Sequence, residues 1–297
     1  MNSEKENLEY NSKIENERAE SKELSFEEKK QLVEVWGKIV LGKADSLQDI
    51  DAMTSEDIKK WLFDSLMQEI DSLAKEWGIE SDKDLTRKIQ EEQNLENKAK
   101  LEAEHIKEMH DKVSGIAENF DMASADVHWS SWPGRMKETK QFNCVGATLL
   151  GINFLNKAGI KSYYGMPAGH VANVARLSNG EWQYADFLVQ KLVKKINPSE
   201  TRLGNTEVLK IDDEDIGFRV VPLLKNSEAP SSILDNLSEL KEEEINQNMP
   251  KETVDYISKF QGQFSRVDFS DLSKKLYPDA RALEETKEMK EEVERKK

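Results

Sequence analysis

The 297-residue chain carries 58 acidic against 43 basic side chains, a formal charge of −15, with 37% hydrophobic and 34% charged residues. So acidic a chain repels phosphate backbones, which argues against a nucleic-acid partner, and its single cysteine excludes any intramolecular disulfide and the scaffolds built on them. No apolar run opens the sequence and none approaches bilayer length, so neither a signal peptide nor a membrane contact is expected, and the expected location is the cytoplasm.

Residues 1–24, rich in Glu, Lys, Asn and Ser, bury too little apolar surface to offset the entropy of ordering and read as a disordered charged tail. A helical region over 25–120 follows. "SFEE" has capping-box spacing, Ser25 to Glu28, ahead of Leu32, Val35, Trp36, Ile39 and Val40 at helical intervals. A second helix after "TSED" carries Ile58, Trp61, Leu62, Leu66, Ile70, Leu73 and Trp77 on one face and stops at Gly78. A third, highly charged helix is predicted over 82 to about 119. Its apolar stripe is thin: Leu85, Ile89, Leu95, Leu101, Ile106, Met109 and Val113.

Glycine, aromatic and β-branched residues concentrate between about 126 and 225. "GHVANVARL" and "EWQYADFLV" read as strands joined at "SNG", a hairpin signal, and "IGFRVVPLL" as a further strand. From Pro230 the pattern returns to helix in "SSILDNLSELKEEEI" and "KETVDYISKFQGQF", before a charged tail from Pro278. The expected organisation is a core over 121–228 followed by C-terminal helices and tail over 229–297.

The only cysteine lies in "FNCVGATLLGINFLNKAGI". Asn143 is a good N-cap, Leu149, Ile152 and Leu155 recur at helical spacing, and Gly159 ends the run. Cys144 is therefore in the first turn, where free N–H groups and the positive end of the macrodipole favour thiolate over thiol. A cysteine in an apolar helix is otherwise a small buried side chain. Two residues weigh against that bland reading. A nucleophilic thiol needs a base, and the base needs a carboxylate to fix its tautomer; His170 opens the first hairpin strand and Asp186 ends the second. Side chains alternate along strands, so the two share a face only if the loop has an odd residue count. The predicted loop is Ser178-Asn179-Gly180, a type I turn closed by a left-handed glycine, which sets Asp186 opposite Ala172 and one diagonal step from His170.

Residues 139–187 resemble the transglutaminase-like superfamily of papain-type thiol enzymes. The resemblance rests on "CVGATLLGINFLNKAGI", "GHVANV" and "EWQYAD": Cys144 at a helix start, Ala147, Gly159-Ile160 at the helix end, a glycine-preceded His170, and an aromatic strand ending in Asp186. It covers about a sixth of the chain. Two positions depart from the pattern: Phe142-Asn143 where the family often has glycine before the cysteine, and Ala172 where it often has an aromatic. The resemblance implies an α+β fold with a transglutaminase-like or papain-like core, a cysteine-bearing helix packed on an antiparallel sheet, with extra N- and C-terminal helices. It further implies that Cys144 attacks an amide carbonyl, His170 shuttles the proton and Asp186 orients His170, on a protein or peptide substrate and without a cofactor. The oxyanion would rest on the Cys144 N–H and one upstream donor, for which Gln141, Trp132 and Trp129 are the candidates. Peptidase or amide hydrolase activity is the first expectation. Protein-glutamine crosslinking, or a non-catalytic scaffold that keeps the fold, is the alternative.

Other motifs carry less. "EAEH" places Glu102 and His105 at a spacing used by carboxylate-bridged metal sites, but no second pair completes such a site, and His110 falls off the face of His105, so no metal is expected. "GMPAG" lacks the lysine and context of a phosphate loop. His128 reads as a surface residue. The Lys/Glu runs read as solvated helix faces, long enough to leave room for a helix-mediated protein partner.

Overall fold

The computed structural model describes residues 23–43, 49–117, 132–139, 142–167, 170–188, 193–196, 199–203, 206–213, 217–238, 268–278 and 280. Two capping boxes start the helical layer. Ser25 and Glu28 exchange hydrogen bonds at the head of α1 (Phe26–Val35), and Thr54 and Asp57 do so at the head of α2 (Ser55–Glu76). A π-helical turn, Trp36–Val40, extends α1 and keeps Trp36, Ile39 and Val40 buried. The Trp36 indole N–H donates to Ser65 Oγ at 3.2 Å and ties the turn to α2. Gly78 closes α2 with φ 71°, a left-handed angle open to glycine at little cost. The chain is already docked at its described start: Leu24 is buried, and Glu23 accepts hydrogen bonds from Ser55. The expected tail over 1–24 otherwise lies outside the described residues.

The third helix of the sequence reading is two helices, α3 (Lys83–Glu91) and α4 (Leu95–Ala117). Asn94 causes the break. Its Oδ1 accepts the Asn97 N–H at 3.0 Å, a capping geometry that competes with continued helix, while Glu92 Oε1 accepts the Asn94 N–H at 2.8 Å. Leu95, read as part of the apolar stripe, starts the new helix and is 58% exposed. The buried face of α4 runs through Ala99, Glu102, Ile106, Met109 and Val113, with His105 beside it.

Among the described residues seven antiparallel strands form one sheet: β1 (Lys161–Gly165), β2 (Ala172–Arg176), β3 (Trp182–Ala185), β4 (Val193–Ile196), β5 (Ser199–Leu203), β6 (Thr206–Asp213) and β7 (Gly217–Lys225), in the order β4-β3-β2-β1-β7-β6-β5. The edge strands β4 and β5 are separated by only two residues in the chain, which forces the sheet to curl until its edges approach. The Trp182 indole N–H on β3 reaches Glu200 Oε1 on β5 at 3.0 Å across the inside of the resulting half-barrel. Inside the curl, Ala172, Val174, Trp182, Tyr184, Leu209, Val221 and their neighbours form a small core. The outer face, with Tyr164, Ala175, Ala185 and Leu224, joins the larger core under the helices. Burial on both faces explains why β2 and β3 lack clean alternation.

The fold is thus α+β. The hairpin and the strand at "IGFRVVPLL" stand where the sequence placed them. β1, β4, β5, β6, and the short helices α5 (Pro133–Thr139) and α8 (Phe269–Leu276) had not been anticipated. Helix α7 (Pro230–Ser238) covers the start of "SSILDNLSELKEEEI", whose remainder, like "KETVDYISKFQGQF", falls outside the described residues. At the centre lies α6 (Cys144–Ala158), packed against α2, α3, α4, β1 and β2 and buried almost all round. Gly151 makes this packing possible. A Cβ there would lie 2.2 Å from Asn173 Oδ1 on β2 and 2.6 Å from a Phe187 ring carbon.

Candidate active site

Asn143 stops the extended chain and starts α6: its Oδ1 accepts the N–H groups of Val145 at 2.9 Å and Gly146 at 3.4 Å. That cap leaves the Cys144 N–H at the helix mouth outside its reach. Gly146 lets the helix start press against its surroundings, since a Cβ would stand 2.8 Å from Phe142 Cβ and 3.2 Å from Met136 Sδ. Phe142 in turn stacks on Trp77 at the end of α2, with centroids 5.8 Å apart. Cys144 is half-buried in this fixed frame.

The hairpin supplies the other two groups. Its loop is Ser178-Asn179-Gly180: the Leu177 N–H donates to the Glu181 carbonyl at 2.8 Å, the Gly180 N–H donates to the Leu177 carbonyl at 2.9 Å, and Gly180 has φ 88°. The pairs Asn173–Ala185 and Val174–Tyr184 fix the register, and its continuation sets Asp186 opposite Ala172. The three-residue loop predicted from parity is the one observed. His170 Nε2 lies 2.5 Å from Asp186 Oδ2, and the other Asp186 oxygen accepts the Leu188 N–H at 3.1 Å. With Nε2 turned to the carboxylate, Nδ1 is the nitrogen left for the thiol, and the Cys144 sulfur lies near enough to the ring to raise its proton affinity. Cys144, His170 and Asp186 therefore meet although they come from a helix and from both arms of a hairpin.

The electrostatics follow from this geometry. The Asp186 hydrogen bond, then the neighbouring Cys144 sulfur, hold the His170 imidazole up to about 9, from an ordinary 6.5, while burial opposes them. At neutral pH the ring is an imidazolium between a carboxylate and a sulfur. Asp186 is 4% exposed, so its charge acts through little water. Tyr184, two residues before Asp186 on the same strand face, keeps its proton: burial, then the Asp186 charge, push it up to about 12. Burial does the same to Tyr164, which also feels the Cys144 sulfur.

The oxyanion candidates divide. Trp132 is fully buried, and no described residue accepts its indole proton; it precedes α5, whose Met136 touches the start of the cysteine helix. Trp129 and Gln141, like His128, lie outside the described residues. Glu102 has a role that its spacing did not disclose. Its buried carboxylate accepts the Ser178 N–H at 2.7 Å and the Ser178 hydroxyl at 2.6 Å, clamping the hairpin loop to α4. The partners stand 76 residues apart, and no local pattern signals them. Neighbouring His105 is buried beside α6, and burial pulls its basicity down. Among the described residues no group of three or more His, Cys, Asp or Glu is gathered to hold a metal ion. No described helix is long and apolar enough to cross a membrane. No protein-family model, curated protein or solved structure matches this chain.

Proposed function

We propose that this protein is a thiol-dependent acyl-transfer enzyme acting on amide bonds, with Cys144 as nucleophile, His170 as acid–base and Asp186 as orienter, on a core of transglutaminase-like type. One observation carries the reading: an imidazole held between the only sulfur nucleophile and a buried carboxylate, each contributed by a different segment. A cysteine that merely fills space needs no such company.

In this reading Cys144 Sγ attacks the amide carbonyl carbon, and the carbon–oxygen π pair moves to oxygen. The Cys144 N–H at the mouth of α6, with one further donor, supports that oxyanion. His170 Nδ1 delivers its proton to the departing nitrogen, the carbon–nitrogen bond breaks, and a thioester remains. His170 then takes a proton from water, which attacks the thioester, releases the acid and restores the thiol. Asp186 keeps the ring facing sulfur throughout. Hydrolysis of a peptide or amide is the proposed outcome, and replacement of water by an amine would give crosslinking instead.

The test uses a library of quenched fluorescent peptides together with a glutamine peptide and a labelled amine, each reaction followed by mass spectrometry. Turnover that falls at least about 1,000-fold in Cys144→Ala and His170→Ala supports the proposal. A free acid product identifies hydrolysis, and an amine adduct identifies transfer. Turnover that survives Cys144→Ala overturns it.

A further inference from the structure

Helix α4 packs against α3, α6, β3 and β4, and it holds the hairpin loop at two points. Glu102 accepts the N–H and the hydroxyl of Ser178, and Glu96 Oε2 accepts from Asn179 Nδ2 at 3.3 Å. His105 stands one turn on from Glu102, on the packed side of the same helix. It is 0% exposed, and neither ring nitrogen has a hydrogen-bond partner among the described residues. The thiol chemistry does not use this imidazole. An apolar side chain of similar size would fill the place without stranding two polar atoms.

A buried imidazole without partners is tolerated only while it is neutral. The charged groups that act on His105 are few. Glu108 and Lys112 on α4 have opposite signs, and Asp82 heads α3. From α6 comes only the Phe154 carbonyl. The outer face of β3 and β4 carries the ion pair of Lys195 with Glu181, whose charges answer each other. Burial outweighs the groups that favour the charged ring and lowers its proton affinity. His110, buried on the same helix beside the Phe187 ring, differs in having Asp111 Oδ1 3.4 Å from its Nδ1.

We propose that α4 is an acid-sensitive brace: protonation of His105 parts α4 from α6 and frees the hairpin loop from Glu102. Separation is the route by which the charged ring reaches water. The size of the effect follows from linkage. A ring that titrates near 6.5 when released and stays neutral while docked multiplies the open population by about 30 between pH 7.5 and pH 5. His170 precedes one arm of the hairpin and Asp186 follows the other, so a freed loop loosens the pair. That last consequence rests on the proposed thiol chemistry; the opening itself does not.

Amide hydrogen exchange of the full chain at pH 7.5 and pH 5, each corrected for the intrinsic exchange rate and read by mass spectrometry, tests the brace. Protection of residues 99–109 and 177–181 is expected to fall at least about 10-fold at pH 5, while residues 58–73 of α2 change less than about 2-fold. The fall disappears in His105→Leu and in His105→Gln. It persists in Glu102→Gln, which keeps an acceptor for Ser178 but cannot ionise. Equal protection at the two pH values overturns the proposal, as does a fall that survives in natively folded His105 variants or that Glu102→Gln abolishes. A carbon-13 titration of the parent serves where the variants do not fold: a His105 ring that takes up its proton while the loop stays protected also overturns it. Opening that follows His105 supports the brace whether or not Cys144 proves reactive, so the two proposals fail separately.

Discussion

Replacing Asp186 by Asn keeps the shape of the side chain and removes the charge that holds His170 protonated. In the folded protein the imidazole keeps its proton to about 9, against an ordinary 6.5, a difference of roughly 2.5 pH units or about 3 kcal/mol between its two protonation states. Asp186 makes the largest contribution and Cys144 the next. The substitution should therefore lower the His170 titration midpoint by at least about one unit. The assay is a carbon-13 NMR titration of labelled imidazoles, tractable because the chain has four histidines and His170→Gln assigns the resonance. Stability gives a second readout with a defined sign. The folded ring binds its proton more tightly than the unfolded ring, so the extra stability is fully present below about pH 6.5 and lost as pH rises through about 9. Urea midpoints should then show Asp186→Asn destabilised by roughly 2 kcal/mol near pH 6, with the gap closing by pH 10. A wild-type midpoint near 6.5, or one that the substitution leaves in place, would refute the reasoning.

Gly151→Ala has competing effects with opposite signs. Helix propensity favours alanine by about 1 kcal/mol, whereas contact with Asn173 Oδ1 and Phe187 predicts a loss of about 1–3 kcal/mol; a lower urea midpoint is expected, and a higher one would show that the helix–sheet contact yields easily. Glu102→Ala removes both acceptors of Ser178 and should cost about 1–3 kcal/mol while raising amide exchange in the 177–181 loop. His105 works against His170: burial lowers its proton affinity, so its stability is present above the unfolded midpoint of about 6.5 and declines as the solution is acidified. His105→Leu should therefore show a smaller loss of urea midpoint between pH 7.5 and pH 5 than the parent, and an identical loss would count against it.

What the sequence disclosed follows from the range over which each signal acts. Ser25 with Glu28, Thr54 with Asp57, Asn143 and Gly159 act within one helical turn, and each helix boundary they mark is visible in a few residues. The relation between His170 and Asp186 was also legible, because a hairpin turns loop length into face parity. Cys144 is different. Its meeting with the hairpin depends on Gly151 fitting a notch formed by Asn173 and Phe187, which no local periodicity encodes. Glu102 was hidden for the same reason, being a charged residue in a charged helix whose partner is a distant loop. β5 reads Ser-Glu-Thr-Arg-Leu, so its pairing with β6 rests on backbone bonds and on closure of the curl rather than on an apolar pattern of its own. The break at Asn94 escaped because the flanking residues all favour helix, and a single side-chain cap decided the matter.

The central claim concerns the state of one sulfur, and the chain holds no other cysteine to confuse the readout. The decisive measurement is the rate of Cys144 alkylation by iodoacetamide in the native protein from pH 5 to pH 10, in wild type and in His170→Ala. The account predicts that the thiol of the folded protein is alkylated readily and that removing the imidazole slows the reaction and changes its pH profile. A sulfur that stays unreactive until the protein unfolds, or whose profile ignores the loss of His170, would contradict it.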